Sequence, residues 1–366
     1  MSRDQRCTGM VADLKKAGMT TRTSMGSIRV MIALCTVILV TAALFFASPI
    51  VEPVAFALFF IALVYPFQKM LQKKIPKAAA LGVVLLITLV GVAAFLYTIA
   101  WGFGVVKDWA INNASTIQTQ YAAVTAWLEA HDLFLPGTMA VRLDAKWIVP
   151  LFREVAGRLN SVLGFSLIVF LFLMLGLLEV SEFMGKFKIL RDEEAARRLL
   201  QVGEKITDKL RKYMVVRTLA SLLVGLLTWG IARLAGLELA VAWGVIAFTL
   251  NYVPFLGSFV AAILPALFAV VQFGPSRMPL IILLALTVMQ FVIGNYLEPL
   301  FSGTALNISP FTVVFSVFFW SFMWGLPGAF IGVPLMLAFL VICEHYPSTR
   351  WVSVLLSVRP PQPGSS

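Results

Sequence analysis

The sequence predicts an all-α, polytopic membrane protein with about eight helical membrane segments. Two of these segments are broken or re-entrant, and a small amphipathic helical unit lies outside the membrane. Three observations carry the prediction. Of 366 residues, 60% are hydrophobic and only 13% charged, where soluble domains carry roughly 25% charged residues. Several uncharged runs reach the roughly 20 residues a spanning helix needs. Two long uncharged stretches, 242–273 and 311–343, are interrupted at their centres. The first holds Asn251-Tyr252-Val253-Pro254-Phe255-Leu256-Gly257, the second Trp324-Gly325-Leu326-Pro327-Gly328. Pro lacks the N–H a helix interior needs, and Gly tolerates angles other residues avoid. Polar backbone freed at membrane depth must meet protein, water or a ligand. Both stretches therefore read as broken helices or re-entrant hairpins lining a pathway.

In chain order, residues 1–27 form a polar, basic leader, expected to be cytoplasmic and disordered, or to reflect a misplaced start. The apolar run after it is long for a signal peptide and lacks a good cleavage site, so it is a retained span. Spans 1–3 fill 28–101. Span 1 runs 30–47, and Ser48-Pro49 with Glu52-Pro53 marks a tight turn. Span 2 runs 54–65 and ends at Pro66 before the basic loop of Lys69, Lys73, Lys74 and Lys77; span 3 follows over 78–101. Residues 102–160 carry charges of both signs. Apolar stripes at Ile117, Tyr121, Val124 and Leu128, and at Ile148, Leu151, Phe152, Val155 and Leu159, predict amphipathic helices too polar to span. Leu135-Pro136-Gly137 separates them.

Span 4 occupies 161–180. A charged helix follows over 181–213, with Glu193/Arg197, Glu194/Arg198 and Asp208/Lys212 at i,i+4 spacing. Residues 214–343 form the transport region: span 5, the first broken stretch, span 7 over 278–297, a polar connector with Gly303, Asn307, Ser309 and Pro310, and the second broken stretch. A Pro-rich tail closes the chain over 344–366. Lys and Arg cluster in the leader, the 66–77 loop and 182–217, which places both termini in the cytoplasm and 102–160 outside.

The transport region reads as a span and a broken stretch, twice. If the first broken stretch is a hairpin, the two units have opposite topology, the inverted-repeat plan of secondary transporters. Two Pro-kinked spans without symmetry would give the same pattern.

The net charge of +11 would suggest nucleic acid in a soluble chain. Here orientation explains it, and no nucleic-acid partner is expected. Cys7, Cys35 and Cys343 are scattered, so no disulfide framework is expected. His131 and His345 lie in different regions, no metal-ligand spacing occurs, and there is no P-loop. The sequence thus predicts no enzyme activity, no cofactor and no metal.

Three ordered motifs resemble the signatures of the autoinducer-2 exporter (AI-2E) family. They are the Asn251–Gly257 stretch, Gly294-Asn295-Tyr296-Leu297-Glu298-Pro299, and Gly325-Leu326-Pro327-Gly328 with Gly332-Val333-Pro334. Leu177-Leu178-Glu179-Val180 and Gly185-Lys186-Phe187 resemble the branch holding the autoinducer-2 exporter itself. The resemblance covers residues 28–356 and departs at the leader before Met25. It implies an inner-membrane permease, a homo-oligomer with the pentamer as candidate form, and a link to quorum sensing. The family also takes in proteins described as sodium/proton antiporters. Three functions follow as alternatives: export of a small polar solute such as autoinducer-2, sodium/proton antiport, and a non-transporting scaffold in the lipid bilayer.

The candidate site residues are Asn251, Pro254, Gly257, Gln290, Asn295, Glu298, Trp324, Gly325, Pro327 and Gly328. Asn251 offers an amide to a solute or caps a half-helix. Glu298, a carboxylate at the end of an uncharged run, carries a proton, binds a cation, or marks a helix end at the interface. Asn295, three residues earlier, shares its helical face, and Gln290 lies eight earlier. Together they suit hydroxyls of a small polar solute. Glu179 is expected to pair with Arg217 or a neighbouring basic residue, and Arg217 otherwise to snorkel. Trp320 and Trp324 stack on a solute or anchor at the interface. Gly325, Gly328 and Gly332 form a stripe for close helix packing or a hinge.

Overall fold

The structure is a computed structural model describing residues 31–130, 148–187, 193–302 and 307–358, with backbone alone over 148–161. The described residues are helical, in twelve α-helices with one π-helical turn. Seven helices are long and apolar enough to cross a membrane, and two shorter apolar helices, Met31–Phe46 and Ala240–Leu250, accompany them. The leader, the Leu135-Pro136-Gly137 break, Gly303 and the end of the tail lie outside the described residues.

The chain packs as two units, Met1–Glu52 and Pro53–Ser366. In the first, α1 (Met31–Phe46) is followed by a turn at Ala47 and the start of α2 (Ser48–Leu71). The turn lies at Ala47, one residue before the Ser48-Pro49 expected to mark it, and both Pro49 and Pro53 lie within α2. Pro49 falls in the first turn, where its missing N–H has no helical partner to lose. Nor does Pro66 end the helix, which runs on to Leu71.

In the second unit, α3 (Lys77–Asn112) and α4 (Ala114–Ala130) are followed by α5 (Ile148–Phe187) and α6 (Glu193–Leu234). Three boundaries drawn from composition fall inside continuous helices. α3 runs past 101, α5 runs through 160, and α6 joins the charged segment to span 5. A change from charged to apolar residues marks where the surroundings change; nothing in it stops the i→i−4 ladder. Ile117 and Val124 are half-buried on α4, while the side chains of Tyr121, Leu128 and the Ile148–Leu159 stripe lie outside the description. Glu194 pairs with Arg198 at 2.5 Å on the charged half of α6.

A small core joins α2, α3 and α5 through Ala57, Val84, Leu173 and Leu177. Gly176 of α5 faces α2, where the end of the Ile61 side chain fills the space a Cβ would take. The larger core gathers α6 and the helices after it, α7 (Ala240–Leu250), α8 (Leu256–Phe273) and α9 (Met278–Val292). Beyond α9 come a π-turn (Ile293–Leu297), α10 (Glu298–Ser302), α11 (Pro310–His345) and α12 (Arg350–Leu356). Outward faces carry large apolar side chains such as Leu86, Leu167, Leu284 and Phe322, as lipid requires.

Both interrupted stretches are helical hairpins. In the first, hairpin A, the rings of Trp243 on α7 and Phe268 on α8 lie 5.1 Å apart. A straight helix would hold these residues about 37 Å apart. At its open end, the Glu238 backbone N–H donates to Gln272 Oε1 at 2.8 Å, and Gln272 Nε2 donates to the Gly236 carbonyl at 2.9 Å. In the second, hairpin B, α11 leaves helical geometry at Trp324 and Gly325 and divides into arms 310–323 and 326–345. Ser316 Oγ donates to the Gly332 carbonyl at 2.5 Å across the arms. Gly325 has φ 65°, which suits glycine. Pro327 lies in the first turn of the returning arm, so it starts that helix; it does not form the break.

Candidate functional site

Helix α6 is the ruler along which both hairpins are placed. The mouth of hairpin A follows the C-terminal end of α6, where Trp109 Nε1 of α3 donates to Glu238. The mouth of hairpin B sits beside the charged half of α6: Lys209 Nζ lies 3.5 Å from Glu344 Oε2, and Lys205 Nζ 3.4 Å from His345 Nε2. The hairpins thus enter from opposite ends. Their tips overlap near the middle of α6, where Tyr252 of hairpin A stacks on Phe330 of hairpin B with centroids 6.0 Å apart. This is the opposed arrangement that the repeated sequence pattern allowed.

The tip of hairpin A covers 251–255. Phe255, with φ 60° and ψ −60°, forms a tight turn in which the Leu256 N–H donates to the Pro254 carbonyl at 2.7 Å. Gly257 is required by space: a Cβ there would lie 1.7 Å from the Leu250 carbonyl oxygen. Asn251 is 1% exposed and is engaged through both polar atoms of its amide. Its Nδ2 donates to Ser221 Oγ at 3.2 Å, and its Oδ1 accepts from Ser258 Oγ at 3.0 Å. It therefore ties the two arms of the hairpin to α6. Tyr252 donates to Thr218 Oγ1 at 3.2 Å, and its ring meets Phe95 and Phe248 as well as Phe330.

Beside this tip lies a buried ion pair. Arg217 Nη1 donates to Glu298 Oε1 at 2.6 Å, with side-chain exposures of 5% and 29%. Arg217 Nε donates to the Tyr252 carbonyl at 3.4 Å. One guanidinium thus links α6, the tip of hairpin A and the start of α10. Of the partners expected for Glu179, which is exposed on α5, this removes Arg217, and it also corrects the snorkelling alternative for Arg217. Charge-assisted hydrogen bonds of this kind are short and strong. Removing either partner of a buried pair typically costs about 3–5 kcal/mol, because the other charge is left uncompensated.

The π-turn decides what joins Glu298. Widening the helix to i→i+5 over Ile293–Leu297 rotates Asn295 away from the face of Glu298. Asn295 is exposed, and its Nδ2 donates to the Phe291 carbonyl at 3.0 Å, so the shared face expected from α-helical spacing does not form. Gln290 is half-buried, and its Nε2 is buried without a partner.

At the tip of hairpin B, the rings of Trp320 and Trp324 meet at a tilt of 48° with centroids 4.6 Å apart, and Trp324 is buried. Gly328 and Gly332 line the seam between the arms. A Cβ on Gly328 would sit 1.9 Å from the Trp320 carbonyl oxygen, and one on Gly332 2.9 Å from that of Ser316. Gly328 and Gly332 therefore serve close packing, while Gly325 stands at the turn with open space around it. Gly225 and Gly244 make a second close approach, between α6 and α7.

The sequence reading missed a polar stripe on α6. Tyr213, Arg217, Ser221 and Thr228 all face inward, at 7%, 4%, 0% and 0% exposure. Three of them stand at i,i+4 spacing within an apolar run, and buried polar groups at membrane depth mark solute or ion pathways. That spacing was the available signal.

Comparison with known proteins places the chain among transport proteins. The chain is 25% identical, over 338 residues, to the AI-2 transport protein TqsA of Escherichia coli (strain K12), covering 91% of this chain and 97% of the relative. It is 23% identical over 308 residues to YhhT of the same organism, covering 84% and 87%. It is also 30% identical over 201 residues to a protein of Borreliella burgdorferi, covering 54% and 56%. The names of the latter two ascribe transport without a cargo. A model described as AI-2E family transporter matches residues 34–348, and the chain, a multi-pass membrane transporter, belongs to that family.

Proposed function

We propose that this transporter exports a small polar solute of the autoinducer-2 class, as the name of TqsA suggests for its relative. The observation that carries the reading is the meeting of two opposed hairpins beside one buried ion pair. Paired interrupted helices at membrane depth offer a solute free backbone and a few side chains, and they can move against a scaffold. Here α2, α3 and α5 supply the scaffold and the hairpins the moving part. The basic half of α6 and the mouth of hairpin B lie together, which supports a cytoplasmic location for the C-terminal end of α11; the N-terminus is placed there by the charge pattern of the sequence. A homo-oligomer, with five subunits by resemblance, belongs to the same proposal; light scattering on the solubilised protein checks it.

Glu298 is already the counter-ion of Arg217. A proton on Glu298 would leave a buried guanidinium without its charge partner. We therefore place the driving force in the solute gradient, with Glu298 a structural counter-charge at the site. Proteoliposomes loaded with labelled autoinducer-2 test this. The expected result is downhill efflux that a proton gradient of either sign leaves unchanged, with flux lost in Glu298→Gln. No efflux above empty vesicles would overturn the cargo. A sodium-driven pH change would favour antiport instead.

A further inference from the structure

The outward side of α6 carries a cleft. It is open-sided, holds about 350 Å³, and is lined by Leu63 of α2 and by Arg211, Met214, Val215, Thr218 and Leu219 of α6. The α6 residues recur every three or four positions, so they form one stripe along the helix. The two ends of the stripe differ. Met214, Val215 and Leu219 are apolar, and the last two are exposed. Arg211 stands at the charged end of the helix, exposed and without an ion-pair partner among the described residues.

We propose that this cleft binds an anionic phospholipid, with the phosphate on the Arg211 guanidinium and one acyl chain against Leu63, Met214, Val215 and Leu219. The site goes beyond the transport reading and does not rest on it. From Arg211 to Leu219 the helix rises about 12 Å, close to the roughly 15 Å of hydrocarbon in one leaflet. Head and chain are thus matched by the two ends of the stripe. A guanidinium offers phosphate a planar fork of donors, and basic residues beside a spanning helix attract anionic lipid. The chain of the other wall also turns basic beyond Leu63, at Lys69, Lys73 and Lys74. A small polar solute fits poorly, because its hydroxyls would lose water to apolar walls. Thr218 gives the site a consequence. It lines the cleft and holds the Tyr252 hydroxyl at 3.2 Å. A bound acyl chain therefore covers the face of α6 to which the tip of hairpin A is fastened.

Native mass spectrometry tests this on the full chain, stripped of lipid in detergent and titrated with palmitoyl-oleoyl phosphatidylglycerol or the matching phosphatidylcholine. Wild type retains phosphatidylglycerol about tenfold more tightly, the size expected for one hydrogen bond to a charged group. Arg211→Gln loses that preference, while Lys212→Gln, its neighbour outside the cleft, keeps it. Leu219→Trp fills the cleft and lowers retention of both lipids. Without added lipid, Arg211→Gln melts at the temperature of wild type, which separates lost binding from lost folding. Equal affinity of wild type for the two lipids overturns the site, as does unchanged retention in Leu219→Trp. Equal losses in Arg211→Gln and Lys212→Gln also overturn it, since they indicate a diffuse basic surface. Val215→Cys in the bilayer probes the rival occupant. Disulfides between chains, above the level that the exposed Cys35 gives in wild type, would put a second copy in the cleft and overturn the lipid. Lipid retention is read without flux, so failure of the proposed cargo leaves this site standing.

Discussion

Hairpin A turns through 251–255, while hairpin B turns at Trp324 and Gly325 alone. Their polar groups are spent differently. In hairpin A, Asn251 and Tyr252 bond outward to Ser221, Thr218 and Arg217 of α6. In hairpin B, Ser316 bonds inward to Gly332 of its own returning arm. The tip of hairpin A is tied to a neighbouring helix, whereas the polar bonds from hairpin B to α6 lie at its mouth. An element whose position depends on bonds to another helix can be released by breaking them. An element closed by its own backbone moves as a piece. The contrast assigns the responsive role to hairpin A and that of a stiff wedge to hairpin B, and it can be attacked by mutation.

The largest effect is expected at the glycines that bring backbone onto backbone. Gly328→Ala would place a Cβ 1.9 Å from the Trp320 carbonyl, inside a seam with no loop to absorb the shift. We expect a loss of about 4 kcal/mol or more, in the range of severe core disruption, seen as aggregated protein on size exclusion. Gly257→Ala meets the Leu250 carbonyl at 1.7 Å, but it borders the longer turn of hairpin A. Some folded protein should survive with a lowered melting temperature. Equal survival of the two variants would remove the claimed difference in stiffness.

Next in size is the ion pair. Glu298→Gln or Arg217→Gln alone should cost about 3 kcal/mol, near the low end for a buried pair because Glu298 is partly exposed. The double replacement Arg217→Met with Glu298→Leu should recover much of that stability, since apolar substitutes for buried pairs are often neutral. Transport should stay lost. Recovery of flux together with stability would make the pair mere scaffolding.

Asn251→Ala should cost about 1–2 kcal/mol by leaving Ser221 and Ser258 without their partner, and should also slow transport. Ser316→Ala removes one bond within hairpin B and should cost about 1 kcal/mol with transport kept. Thermal melts and vesicle flux on the same preparations report both.

The breaks were legible in the sequence because Pro254, Gly257, Gly325 and Pro327 interrupt runs that hold no charge. The direction in which each stretch folds was not, because the same residues permit a kink or a reversal. Contacts between the arms, such as Trp243–Phe268 and Ser316–Gly332, decide between them. Glu298 stood out as a lone carboxylate, but its partner lies 81 residues away, beyond any local periodicity. Asn295 was misplaced because an α-helical rule was applied across a π-turn. The helix boundaries at 101, 160 and 213 were read from charge, which records the surroundings of a helix and not its hydrogen bonding.

The smallest expected effect sharpens the comparison most. Tyr252→Phe keeps the ring that meets Phe95, Phe248 and Phe330 and deletes only the hydroxyl bonded to Thr218. The bond is between exposed groups, so its loss should cost no more than about 0.5–1 kcal/mol. Tyr252→Ala also removes the aromatic contact between the two hairpins and should cost several times as much, as truncating a packed aromatic does. If hairpin A is held outward chiefly by polar bonds, Tyr252→Phe should change the rate of transport more than the melting temperature. If the stacked ring is what fixes the tip, the phenylalanine variant should transport as wild type does, and only the alanine variant should fail.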